Sequence, residues 1–166
     1  MLKSLAAVAV ASVLSTASFA LNGGRTEWIM LKALYRIFGD IAMSSGGFMA
    51  SGISLYLAFW VYVSVSVYVF LKLFGEDVNV TTVFDVTALS FILPHALIFP
   101  FGLFGNYFLH ISALVVFGLL VPLTLTPHSL RRASGADFYR RSLALYASLF
   151  VLFTAWTLAV EPLGVI

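Results

Sequence analysis

Cysteine is absent from the 166 residues. That excludes disulfides, thiolate metal ligands and cysteine nucleophiles, and it leaves the redox compartment unread. Charge is nearly as scarce, at 10% of residues. A water-soluble domain of this length needs more polar side chains than that to cover its surface, so the chain belongs in lipid. The net charge of +2 is small and dispersed, which argues against nucleic-acid binding. Signatures of chemistry are missing as well: no glycine-rich phosphate loop, no His-Glu-x-x-His helix and no Gly-x-Ser-x-Gly elbow occurs. The acids lie near the ends of apolar runs rather than paired within them, so the expectation is a protein without catalytic activity of its own.

What fills the chain is apolar: 61% of residues, with a mean hydropathy of +1.05. The longest such stretch, Phe84–Thr126, carries no charge after Asp85 and is roughly twice the length of one bilayer crossing. It is expected to fold back as a helical hairpin hinged at Phe101–Asn106, just after Pro100. Upstream, Ile41–Leu73 is longer than a bilayer needs and should tilt. Its segment Trp60–Phe70 alternates with period two, which in water reads as a strand. A lone strand in lipid leaves its backbone unsatisfied, so a helix is expected. The predicted architecture is an all-α polytopic bundle with spans at 41–73, 83–101, 106–126 and 142–160.

The first residues admit two readings. Lys3, the apolar run Leu5–Leu14, and the small residues Ser18 and Ala20 fit a signal peptide cleaved after Ala20; the same residues also serve as a fifth, amino-terminal span. Residues 21–40 follow as an amphipathic interfacial segment, with Lys32 and Arg36 on one face. Lys72–Thr82 is the first clear loop, with Thr81 or Thr82 expected to cap the next helix and Asp85 in its first turn. His128–Arg141 reads as the second polar loop and carries Arg131, Arg132, Arg140 and Arg141, which suit anionic lipid or a partner protein. Placing those four with Lys3 and Lys72 on the cytoplasmic side obeys the positive-inside rule. The membrane is that of a prokaryotic cell or an organelle or endomembrane.

Three sets of residues stand out as candidate sites. Gly46, Ala50, Ser54 and Ala58 recur at helical spacing and form a small-residue row for helix packing. His95 and His110 fall about two turns either side of the hinge, at matched depth, where they suit hydrogen bonds to freed carbonyls or ligation of a haem b iron; no other metal site is indicated. The four arginines are the third set. Two family resemblances accompany these residues. Leu71-Lys-Leu-Phe-Gly75, the short polar loop, Val83–Ser90 and Pro94, within residues 57–97, resemble Yip1-type membrane proteins, which implies a non-enzymatic bundle in membrane organisation. Leu103-Phe-Gly-Asn106 followed by His110 is similar to a stretch of subunit a of rotary ATP synthases, but Gly102 stands where that family has its essential arginine, so it implies at most a likeness of helix packing.

The function expected is a structural or assembly subunit of a larger membrane complex, or a membrane-organising protein, with the bilayer and other transmembrane subunits as partners. The alternatives are a haem-binding redox subunit using His95 and His110, and a small transporter or channel lined by the 94–110 hairpin.

Overall fold

The structure is a computed structural model that describes residues 2–23, 25–135 and 137–160. Six helices account for nearly all of them: α1 (Leu2–Asn22), α2 (Arg25–Phe38), α3 (Ser45–Leu73), α4 (Val80–Gly102), α5 (Tyr107–Ser134) and α6 (Phe138–Val160). A tight 3-10 turn, Gly39–Met43, links α2 to α3, and no strand occurs among the described residues. The protein is an all-α helical bundle, and α1, α3, α4 and α5 are each long and apolar enough to cross a membrane.

Those four helices are not equally placed. Within their apolar windows, 56% of α4 and 44% of α1 is buried, against 22% of α3 and 17% of α5. The central pair is therefore α4 and α1, and the others surround it. The amino-terminal helix owes its place to the row Ser4, Val8, Ala11, Ser15, Ser18 and Asn22, all buried and spaced alternately four and three apart. Such spacing keeps one narrow face in contact with neighbours along the whole helix. Small side chains on that face let backbones approach: a Cβ on Gly52 of α3 would collide with the Thr16 side chain, and one on Gly102 of α4 with the Ser18 backbone.

Helix starts are set by side-chain caps. Ser44 Oγ, Asn79 Oδ1 and Asn106 Oδ1 accept the backbone N–H of Gly47, Thr81 and Leu109 at 3.0, 2.9 and 3.1 Å. Asn79, not Thr81 or Thr82, thus opens α4. Asp85 lies beyond the first turn, and its carboxylate accepts a hydrogen bond from Ser4 Oγ of α1 instead of serving the helix dipole.

Proline shapes the middle of α4. Residues Thr87–Ile92 form a wide π-type turn and Leu93–Ile98 a tight 3-10 segment around Pro94, before Phe99–Gly102 resumes the α form. A second π-type turn, Val116–Leu120, precedes Pro122 in α5. Hydroxyls take up carbonyls along the distorted helix: Thr87 Oγ1 donates to Val83 O, Ser90 Oγ to Val86 O, and Ser15 Oγ of α1 to His95 O.

Two apolar clusters fill the bundle. The larger holds Val8, Val63, Val67, Leu71, Phe91 and Leu145; the smaller joins Phe19 of α1 and Phe48 of α3 to Met30 and Leu34 of α2. The amphipathic segment is thus a separate helix that buries Met30 and Leu34 and leaves Lys32 and Arg36 exposed. The polar stretch 128–141 differs from the expected loop. α5 runs on through Ser134, ends at Gly135 with φ 70°, and the connection occupies only 135–137 before α6 begins. Polar residues here mark a helix leaving the apolar zone, with Arg131 and Arg132 in the last turn where the dipole favours cations. The side chains of 156–160 and all of residues 161–166 lie outside the described residues.

Candidate functional site

Many of the buried polar groups of the bundle gather along the inner face of α1, while Ser64 with Thr87 and Ser90 with Thr126 join α3 to α4 and α4 to α5. At one end Ser4 meets Asp85. Near the middle, Tyr56 of α3 donates to Ser15 Oγ at 2.7 Å, and Ser15 donates in turn to the His95 carbonyl of α4 at 3.2 Å. At the other end, His110 of α5 is fully buried between Ser18 of α1 and Thr26 of α2, at 3.2 Å from Ser18 Oγ and 2.9 Å from Thr26 Oγ1. Three helices, α3, α4 and α5, are therefore tied to α1 through its serines, and α2 through Asn22 and Thr26.

The hydroxyl protons decide how His110 is held. Ser18 Oγ donates to Ser15 O at 2.7 Å, so toward the imidazole it only accepts, and Nε2 of a neutral ring carries the proton. Nδ1 is then the acceptor and Thr26 Oγ1 the donor. Yet Thr26 Oγ1 also lies 2.6 Å from Asn22 Oδ1, while Asn22 Nδ2 is buried and unpartnered. Turning the Asn22 amide over removes both conflicts, because Nδ2 then donates to Thr26 Oγ1. A single directed chain results, Asn22 to Thr26 to His110 to Ser18 to the Ser15 carbonyl. Each donor in it ends on an acceptor, so its chemistry is that of a latch between α1, α2 and α5.

His95 is held differently. Its Nδ1 lies 3.0 Å from Ile92 O, its ring meets Tyr56 edge-on at 5.6 Å between centroids, and a Cβ on Gly118 of α5 would lie 3.6 Å from its Nε2. That is ordinary van der Waals contact, so the ring packs beside Gly118 without needing a glycine there. A haem between His95 and His110 does not fit this donor set as arranged, because His110 uses both ring nitrogens and would have to give up Ser18 or Thr26. Among the described residues no group of three or more histidines, aspartates or glutamates converges on a metal position.

The small-residue row lies beside the face that packs within the chain, not on it. Gly46, Ala50, Ser54 and Ala58 are exposed, and a Cβ on Gly46 would touch nothing. Gly47, Ser51 and Gly52, one residue round the helix, are buried instead. The four arginines also separate. Arg131 and Arg132 are exposed; Arg140 Nη1 donates to Phe74 O at 3.0 Å and reaches Glu76 Oε1 at 3.5 Å. Arg141 is buried, with Nε, Nη1 and Nη2 unpartnered. It shares the inward face of α6 with Ala144, Leu145 and Ser148, so it leaves the set of lipid or partner contacts.

Sequence reasoning missed Asn22, Thr26, Tyr56 and the serines of α1 as a unit. The signal was the alternating spacing of Ser4, Ser15, Ser18 and Asn22 with Val8 and Ala11, which a cleavage-site reading of Ser18 and Ala20 obscures. The class defined by this fold is a transmembrane helical bundle whose seam is polar and internally satisfied for most of its length. No family model matches the chain, and no curated protein or solved structure matches it either.

Proposed function

We propose that this protein is a non-catalytic structural subunit of a larger membrane assembly, docking through the outer face of α3. The observation that carries the reading is the open row Gly46, Ala50, Ser54 and Ala58, on a helix whose other face is already packed. In lipid, helices associate through close backbone approach at small residues, and this row offers such an approach to a helix from outside the chain. The buried groups support it in a second way: His110 joins α5 to α1 and α2 through both ring nitrogens, and His95 spends Nδ1 on Ile92 O of its own helix, which suits a scaffold better than a redox or transport centre.

The same reading includes a topology. α1 is retained as a span, because its serine face is the internal seam, and α6, at 23 residues, supplies a fifth crossing. Lys3, Lys72, Arg131, Arg132, Arg140 and Arg141 then share the cytoplasmic side, and Arg25, Lys32 and Arg36 the other.

Photocrosslinking in native membranes tests the docking face. A photoreactive residue at Ala50 or Ser54 is expected to give one discrete protein adduct, and the same probe at Val116, exposed on α5, is expected to give none. Adducts absent at all three positions, together with migration of the protein alone on a native gel, would overturn the reading.

A further inference from the structure

A groove of about 440 Å³ lies between α5 and α6, on the scale of small-molecule sites. Leu123 and Leu143 line it as apolar walls, and Thr124, His128 and Ser142 add polar atoms. Tyr139 and Tyr146, about two turns apart near the start of α6, complete it. On α5, Thr124, His128 and Arg132 recur at every fourth residue and so share one face, with Arg131 beside them one turn beyond His128. Arg131 and Arg132 do not line the groove but follow it on this side of α5, exposed in the helix's last turn.

We propose that this groove binds an anionic phospholipid, with an acyl chain against Leu123, Leu143 and Tyr146 and the phosphate at Arg131 and Arg132. Three features select that occupant. The walls are apolar along a stretch that faces sideways out of a membrane bundle, where acyl chains are the surrounding medium. Charge appears only at the helix end, at the depth where headgroups lie, and it is positive. Tyrosine at the mouth, here Tyr139, is the amphipathic side chain that bilayer interfaces favour. Arg140 and Arg141 take no part, being committed to the α3–α4 connection and to the interior. The site rests on the membrane reading of the bundle and is independent of whether α3 docks on a partner.

The test is native mass spectrometry of the detergent-purified protein titrated with phosphatidylglycerol, phosphatidylcholine or soluble glycerol phosphate. A preference of about twenty-fivefold for phosphatidylglycerol over phosphatidylcholine is expected, from about fivefold per arginine. The exposed double substitution Arg131→Gln with Arg132→Gln should bring that preference close to one. Leu143→Trp, which fills the groove and keeps both arginines, should abolish retention of either lipid. Equal retention of the two lipids by the unsubstituted protein would overturn the proposal. So would binding of glycerol phosphate as tight as that of the lipid, which would mark a phosphate site only, or unchanged lipid retention in Leu143→Trp.

Discussion

His110 and Gly102 show how differently two residues can hold the same helix in place. His110 contributes hydrogen bonds from α5 to Ser18 of α1 and Thr26 of α2, whereas Gly102 contributes an absence, the missing Cβ that lets α4 reach the Ser18 backbone. Interhelical hydrogen bonds in membranes average about 0.6 kcal/mol, because the unfolded helices also find partners, whereas overpacking a tight contact costs about 1–3 kcal/mol. Packing should therefore win. Gly102→Leu is expected to destabilise the bundle more than His110→Gln, as read by reversible unfolding in mixed micelles. The opposite order would mean that the Asn22–Thr26–His110–Ser18 chain is worth more than its bonds, and would point to chemistry at His110. At this scale the sequence was least legible. Arg140 and Arg141 are neighbours with the same side chain, yet one caps the α3–α4 connection and the other is buried, because successive helical residues point about 100° apart. Nothing in their local sequence says which faces inward.

At the scale of elements, the same ambiguity governs α3. The sequence shows small residues on two adjacent rows, Gly46–Ala58 and Gly47–Gly52, and the neighbours decide which row is internal: the Gly39–Met43 turn closes on Gly47, and Thr16 of α1 on Gly52. The two rows make a paired prediction. Gly52→Leu should prevent α1 from seating and lower the yield of folded monomer, while Gly46→Leu should leave monomer stability within about 0.5 kcal/mol of the parent, as surface changes usually do, and disrupt assembly alone. Equal stability of the two variants in a monomer unfolding assay would contradict the assignment of the faces. The spans themselves were legible, since runs such as Phe84–Thr126 are apolar beyond what any soluble helix hairpin requires. Their interior form was not. The wide and tight turns of α4 depend on which carbonyls Ser15, Trp60 and Thr87 take up, and those partners come from three different helices. Helix α1 was half legible: its hydropathy marked a membrane-seeking segment, but Ser18 and Ala20 suit a protease and a helix crossing equally well.

For the whole molecule, the proposed topology alternates across the membrane from a cytoplasmic start of α1, and the absence of cysteine makes it directly measurable. Single cysteines introduced at Phe104, in the α4–α5 connection, and at Arg132, at the end of α5, are both exposed and lie at opposite ends of the bundle. A membrane-impermeant maleimide is expected to label position 132 only from the cytoplasmic side and position 104 only from the other. Labelling of both from one side would break the alternation and the positive-inside argument with it.

The bundle is built on α1, which supplies the seam that α2, α3, α4 and α5 share. The most direct measurement is the amino-terminal sequence and intact mass of the protein purified from its own membrane. Residues 2–22 are expected to be present in the mature protein. A mature chain beginning at Leu21 would contradict it, because Ser4, Ser15 and Ser18 would be gone and Asp85, Tyr56 and His110 would each lose the partner seen here.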